Sequence, residues 1–361
     1  MGQNAGVTAF RICVLPGDGI GIDVIEATLP VLQKAAKGFS LDLETYPAGA
    51  QHYAKTGEAL PEKTFEAARG AHAILFGAMG WPAIRYPDGT EIAPQLDLRV
   101  RLELYAGVRP ARAIPGVPLP LADPRARSVD FVVVRESTEG LFASRGKGVV
   151  TSEEARDTMV ITRRGSQRVH EFAFRLAARR KRQGRPGLVT CVDKANVFAS
   201  MAFFRRVFDE VAARHPGVEA RHHYIDAAAL DLVRRPWDFD VMVTENMFGD
   251  ILSDEAAALV GGMGMAPSAD IGDEHGVFQP CHGSAPDIAG QGRANPTACI
   301  LSAAMMLDWL AERAGEPGPA KAARRMERAV DAAFASGKVK PWDLGGRDGT
   351  RAIRDAVLSN L

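Results

Sequence analysis

Asp250 and Asp254 stand four residues apart within residues 246–254, which read NMFGDILSD. On a helix this spacing sets both carboxylates on one face, one turn apart, where their oxygens can converge on a single cation. Two carboxylates so close repel each other unless positive charge lies between them, and an all-oxygen site suits magnesium or manganese. The alternative is a solvated acidic helix start favoured by the helix dipole. The stretch follows the apolar run 241–243, opens a helical pattern at about Gly249, and turns Ile251 and Leu252 toward the core.

Other charged residues sit where elements begin or end. Arg99 lies in a helix-patterned segment, Arg109 precedes Pro110, and Arg135 ends the apolar run 131–134. An arginine at the mouth of a buried strand needs a partner, either an ordinary salt bridge or a bound carboxylate taken by two parallel hydrogen bonds. Lys194 follows the strand-like run 188–192 in the sequence VDKAN. It is either a base tuned by neighbouring carboxylates or a charge at a helix start. Asp226 opens a helix over 227–233, as its N-cap or as a further metal carboxylate. Asp287 is the one acid in residues 279–295, QPCHGSAPDIAGQGRAN. In such a loop it can accept hydrogen bonds from the two ribose hydroxyls of a nicotinamide adenine dinucleotide and repel an added phosphate.

These residues need elements to hold them. Strand patterns at 10–15, 41–46, 71–76, 131–134 and 188–192 are interspersed with helical patterns, which argues for an α/β fold with a largely parallel sheet and ligands at the strands' carboxyl ends. The first strand runs into Gly17, Gly19 and Gly21 and then a helix through Val24, Ile25, Leu29 and Leu32. Ile22 stands where a dinucleotide fingerprint needs a third small residue, so this is a non-Rossmann turn that brings backbone near a ligand. Residues 78–96 read as a long irregular loop that lines a site. Residues 98–106 follow as a helix. The pattern is weak over 137–163, with a β-like run at 159–161, as in an arm or connection. Residues 167–182 form an amphipathic basic helix whose buried stripe is Val169, Phe172, Phe174 and Leu176. His222 and His223, in the alternating run 218–225, read as surface or packing residues. Residues 296–310 are an apolar helix suited to a core or a subunit interface.

The 361 residues suggest about two domains. Lysine plus arginine and aspartate plus glutamate both total 44, so no global field recruits nucleic acid or an anionic membrane. Cys13, Cys191, Cys281 and Cys299 are scattered, without metal-ligand spacing, and read as buried thiols of a cytoplasmic protein. Residues 1–8 read as a loose tail with no apolar signal core, and no run is long enough to span a bilayer.

Residues 15–21, Arg135 with Glu136, VDKAN, Asp226, NMFGDILSD and HGSAPDIAG occur in this order. Together they resemble the metal-dependent β-decarboxylating dehydrogenases, which act on isopropylmalate, isocitrate, homoisocitrate, tartrate or D-malate. The resemblance implies an isopropylmalate dehydrogenase-like fold of two α/β lobes with a non-Rossmann dinucleotide site. The large lobe would comprise 1–104 and 262–361, and the small lobe 105–261 with a dimerisation arm. It implies a homodimer with shared sites, in which Asp250 and Asp254 hold magnesium or manganese with the partner subunit's Asp226. By the same resemblance Arg99, Arg109 and Arg135 grip substrate carboxylates, and the partner subunit's Lys194 assists as base. Asp287, followed by Ile288 as in NAD-using members, reads the ribose; His282, Gly283, Ser284, Ala285 and Asn295 surround the adenine. The implied activity is NAD-dependent oxidative decarboxylation of a malate-type 2-hydroxy acid, 3-isopropylmalate-like or another 3-substituted malate. Tartrate, D-malate or homoisocitrate are alternatives, as is a non-catalytic paralogue.

Phe142 departs from the pattern, because the family places a tyrosine there to protonate the enolate carbon. A phenyl ring has no proton to give, which removes a general acid worth ~10²- to 10⁴-fold. Tyr86 or a water would have to substitute, unless the substrate does not need the step. Residues 84–98 set the substrate's third substituent in this family. Gln95 and Arg85 favour a polar group there, while Ile92 and Leu96 keep an apolar one open.

Overall fold

The computed structural model describes residues 8–361, so the tail expected over 1–8 lies, Thr8 aside, outside the described residues. β1 (Ala9–Gly17) passes through a tight turn into α1 (Ile20–Ala35), which buries Val24, Ile25, Val31 and Leu32. β2 (Ser40–Thr45), α2 (Ala50–Thr56) and α3 (Glu62–Gly70) lead to β3 (Ala73–Ala78), buried at every residue. Then come α4 (Pro94–Arg101), β4 (Ala106–Arg112), β5 (Asp130–Glu136) and a short hairpin, β6 (Val149–Val150) with β7 (Ala155–Arg156). Helices and strands alternate next: α5 (Arg163–Arg182), β8 (Leu188–Asp193), α6 (Ala199–Ala212), β9 (Glu219–Tyr224), α7 (Ile225–Arg234), β10 (Val241–Thr244) and α8 (Asn246–Leu259). β11 (Pro267–Ile271), β12 (Gly276–Pro280), α9 (Thr297–Ala314), α10 (Pro317–Ala335) and α11 (Thr350–Ser359) close the chain.

Ten strands form one sheet in the order β2-β1-β3-β12-β11-β4-β5-β10-β8-β9. β2, β1, β3 and β12 are mutually parallel, as are β5, β10, β8 and β9. Between the two blocks, β11 and β4 pair antiparallel to each other and to their outer neighbours. The two parallel blocks therefore run in opposite directions, a correction to the expectation of one largely parallel sheet. Within the blocks β3, β12, β5, β10 and β8 are buried on both faces, as helix-covered parallel strands must be, while the edge strands β2 and β9 are largely exposed. α9 is buried along most of its length, which bears out a core role for the apolar run 296–310.

Several local readings are corrected. The helix expected over 98–106 starts earlier, with Pro94 in its first turn, and stops at Arg101. Glu103 follows at φ 49°, a left-handed conformation that breaks the helix, and Ala106 already belongs to β4. α8 begins at Asn246 instead of near Gly249, because the buried Glu245 side chain caps it, accepting from Phe248 N at 2.7 Å and Met247 N at 3.1 Å. Leu252 is buried as expected, but Ile251 is 60% exposed. Asp226 lies in the first turn of α7 and is not its N-cap, a position taken by Tyr224. Over 159–161 only Val160 bridges, to Gly140. Cys13, Cys191 and Cys299 are buried, whereas Cys281 is partly exposed just past the end of β12. Among the described residues no helix is long and apolar enough to cross a membrane.

Candidate active site

Strand register builds the centre of the site. Asp270 on β11 lies opposite Gly107 on β4, which lies opposite Arg135 on β5. Side chains across such a row share a sheet face, and Arg109, two residues along from Gly107, joins them. Gly107 is needed in the row: a Cβ there would stand 2.7 Å from Ser137 Oγ and 3.3 Å from Asp270 Oδ1. The buried Asp270 carboxylate accepts from Arg99 Nε at 2.8 Å, Arg109 Nη2 at 2.9 Å and Gln279 Nε2 at 2.9 Å. Burial alone would push this carboxyl up, but the two guanidiniums outweigh it and hold it at about 2. Asp270 was not among the residues singled out from sequence. Its signal was an acid inside the apolar alternation of β11, since a buried carboxylate requires cationic partners.

Arg135 is buried beside this cluster. Its Nε donates to Asn246 Oδ1 at 2.9 Å, Nη1 pairs with Asp250, and its guanidinium lies 5.0 Å from the centre of the Phe142 ring. Burial, reinforced by the positive charge of Arg99, lowers its pKa to about 10. Gly249 allows α8 to sit directly on β5, because a Cβ there would come within 2.6 Å of Arg135 Cβ. α8 then presents Asp250 and Asp254 at its exposed side. Desolvation and the negative charge of Asp250 raise the pKa of Asp254.

Arg99, Arg109, Arg135, Asp250 and Asp254 line one cavity of about 170 Å³. Its walls include Gln95, Gln279, Cys281 and His282, several of them at the carboxyl end of β12. Gln95 Oε1 and His282 Nε2 are buried without a protein hydrogen-bond partner, two polar atoms that a ligand would satisfy. Tyr86 is not part of this lining and instead packs edge-on against Tyr53, with ring centres 5.1 Å apart. Ile92 is fully buried against Ala50 and Ala59, away from the lining.

Lys194 and Asp226 are brought together, but elsewhere. Lys194 Nζ donates to Asp226 Oδ1 at 2.6 Å, and this bond lowers the Asp226 pKa. Neither residue lines the cavity. Among the described residues no three metal-ligating side chains gather, so one chain does not assemble Asp226 with Asp250 and Asp254.

The segment from His282 to Gly290 packs on the first glycine turn. Ile20 N donates to Ser284 O at 2.8 Å, and a Cβ on Gly19, at φ 57°, would stand 2.1 Å from that oxygen. The close backbone approach foreseen for this turn is thus to the protein's own loop. Asp18 holds the turn by accepting from the backbone N–H groups of Ala50, Gln51 and Gly80. Asp287 is exposed in the short turn Pro286–Ile288, preceded by Ala285 at φ 35°. Burial keeps the His282 imidazole pKa low. Asn295 is buried, its Oδ1 accepting from Thr297 N at 3.0 Å and its Nδ2 donating to Asp343 at 3.2 Å. Two carboxylates one turn apart, one of them raised by the other's charge, fit a hard divalent cation as part of its oxygen shell. The exposed carboxylate of Asp287 fits a pair of ribose hydroxyls.

Comparison with known proteins gives a concordant result. The profile of the isocitrate/isopropylmalate dehydrogenase family matches residues 11–357. The chain is 43% identical to the 3-isopropylmalate/3-methylmalate dehydrogenase of Methanocaldococcus jannaschii, covering 97% of this chain and 98% of that one. It is 44% identical to the isocitrate/homoisocitrate dehydrogenase of Thermus thermophilus, over 98% and 99% of the two chains. Among solved structures, isocitrate dehydrogenase from Methylococcus capsulatus superposes with a TM-score of 0.85 at 37% identity, over 97% and 99%.

Proposed function

The chain belongs to the isocitrate/isopropylmalate dehydrogenase family and is a β-decarboxylating dehydrogenase; from that premise we propose that it oxidises and decarboxylates a 3-substituted malate, using NAD and magnesium or manganese. The observation that carries this reading is the convergence of three buried arginines and two aspartates on one cavity. A malate-type acid brings two carboxylates and a hydroxyl to such a site. Asp270 holds Arg99 through Nε, which leaves its terminal fork for a ligand carboxylate. Asn246 holds Arg135 through Nε and Asp250 takes its Nη1, so the substrate is oriented by groups that need little reorganisation. When bound, the cation, held by Asp250 and Asp254, supplies positive charge beside the reacting oxygen, and NAD, held at Asp287, accepts the hydride.

The complete site belongs to a homodimer in this reading. The partner subunit's Lys194 takes the hydroxyl proton, and the partner subunit's Asp226 completes the oxygen ligands of the cation. Support comes from the surface around Asp226. Leu230 and Val233 lie four and seven residues on, on the same face of α7, and are 55% and 51% exposed. α7 packs beside α8, whose Ile251 is exposed as well. Such a grouped apolar surface is what a second copy would cover. The β6–β7 hairpin, with Val149 and Val150 exposed, suits the proposed arm. The division into lobes of 1–104 with 262–361 and of 105–261 is supported by sheet order: β2, β1, β3, β12 and β11 come from the first set and the other five strands from the second.

Gln95 bears on the side group. Its amide lies at the cavity wall with the oxygen unpaired, and turned end for end it would donate its Nε2 hydrogens to an added carboxylate, which favours the isocitrate and homoisocitrate class over the isopropyl class that Leu96 left open. The test is to follow NADH and released carbon dioxide from the purified protein with manganese or magnesium. The panel is isopropylmalate, isocitrate, homoisocitrate, D-malate and tartrate, each with NAD and with NADP. Matched NADH and carbon dioxide from one acid is the expected result. Turnover with NADP alone would refute the role given to Asp287, and no turnover of any malate would refute the reading.

A further inference from the structure

A second cluster of arginines lies on the outer side of α5. Arg163, Arg164, Arg168 and Arg175 line an open cavity of about 540 Å³ with Gln167, Glu171, Tyr105 and Asp273, none of which borders the cavity described above. Some of these charges are spent. Arg163 pairs with Glu210, and Arg164 forks onto both oxygens of Glu103 at 3.0 and 2.9 Å. The Glu171 carboxylate is taken by Arg214 and His215, and Asp273 accepts from the Tyr105 hydroxyl at 2.9 Å. Arg168 is different. Its side chain is 16% exposed, its Nε and Nη1 are buried with no acceptor, and the nearest carboxylate oxygen, on Glu103, is 3.7 Å away.

A permanent cation with two unsatisfied buried donors is costly, and its stacking at 4.5 Å on Tyr105 satisfies neither donor. Arg175 stands beside the same Tyr105 hydroxyl. Glu103, which pairs with Arg164 and only distantly serves Arg168, does so from the strained backbone at φ 49°. Arg168 and Arg175 are seven residues apart on one face of α5, about 10 Å along the axis, a spacing that two linked phosphoryl groups match with less convergence of the side chains than one phosphate would require.

We propose that this cavity binds a polyphosphoryl anion, bare pyrophosphate or the phosphate chain of a nucleotide, through Arg164, Arg168 and Arg175, with Glu103 as the internal competitor. Planar guanidinium forks match phosphoryl oxygens, and a ligand oxygen at Arg168 satisfies donors that the protein leaves open. The site lies against the turn that joins Arg99 on α4 to Arg109 on β4, and its existence does not depend on the reaction proposed above.

The test is calorimetric titration of the full-length protein with inorganic pyrophosphate, without divalent metal and at constant ionic strength. Saturable binding is expected, at least tenfold weaker in Arg168→Gln and in Arg175→Gln and several-fold tighter in Glu103→Gln, which removes the competing charge. The opposite sign of the Glu103→Gln effect keeps the test decisive even if an arginine variant folds poorly. Binding of ADP tighter than that of pyrophosphate and weakened in Arg168→Gln would identify a nucleotide at this cavity, and equal binding the bare anion. Absence of saturable binding, affinity unchanged in both Arg168→Gln and Glu103→Gln, or orthophosphate binding as tightly as pyrophosphate would overturn the proposal.

Discussion

Asp270 determines where two of the three buried arginines point, because both Arg99 and Arg109 donate to it and it has almost no access to water. Asp270→Asn keeps the shape and removes the charge, leaving two guanidiniums uncompensated. The expected cost is about 3–5 kcal/mol, read from the midpoint of urea unfolding. A change under 1 kcal/mol would mean that the arginines find other partners. Phe142 poses the opposite question, since its ring rests on the Arg135 guanidinium and carries no proton. Tyr86, the other candidate acid, packs against Tyr53 outside the cavity lining. Phe142→Tyr should therefore raise the turnover number, by up to ~10²-fold if protonation of the enolate limits the reaction. No gain in a variant with an unchanged melting temperature would show that another group already supplies the proton.

Among the elements, α8 depends on a glycine for its seat. In an isolated helix Gly249→Ala would stabilise by ~1 kcal/mol, but here the added Cβ meets Arg135. Net destabilisation and weaker manganese binding by calorimetry are expected, and a more stable protein with unchanged binding would contradict the packing described. α5 makes a pH-dependent contribution. His170 is buried between Phe204 and Phe208, and burial pushes its pKa down to about 3, against a hydrogen bond to Phe204 O that favours charge. The unfolded chain takes up this proton near pH 6.5, so the stabilising effect of neutral His170 is complete above that pH and is lost as pH falls toward 3. Between pH 7 and 5 wild type should lose about 2 kcal/mol that His170→Phe does not lose. Parallel stability curves would contradict the assignment.

The sequence was most legible where period and chemistry coincide. β3 is an unbroken run of apolar and small residues, β8 is apolar but for Thr190 and its last residue, and the aspartate spacing in α8 is a helical one. What it concealed was mostly long-range. β4 and β11, which reverse the sheet between its parallel blocks, carry arginine, proline, glycine and aspartate because they line the site, so their composition does not read as strand. The break at Glu103 depends on a left-handed residue that propensity does not anticipate. The partner of Arg99 lies 171 residues away, a distance no local pattern spans.

At the scale of the whole molecule, we propose that a working site needs two chains. Asp250 and Asp254 line the cavity, while Lys194 and Asp226 pair with each other outside it. A site completed by a second copy makes a demand that a self-contained site does not. Lys194→Ala and Asp250→Asn should each abolish turnover of whichever acid the wild type uses. Mixed, dissociated and reassociated, they should form heterodimers in which one of the two sites receives both intact contributions. The most direct measurement is therefore NADH formation by that mixture. Activity recovering to about a quarter of wild type is the predicted result for random pairing in a two-fold dimer. A mixture as inactive as either variant, with heterodimers shown to form, would contradict the account.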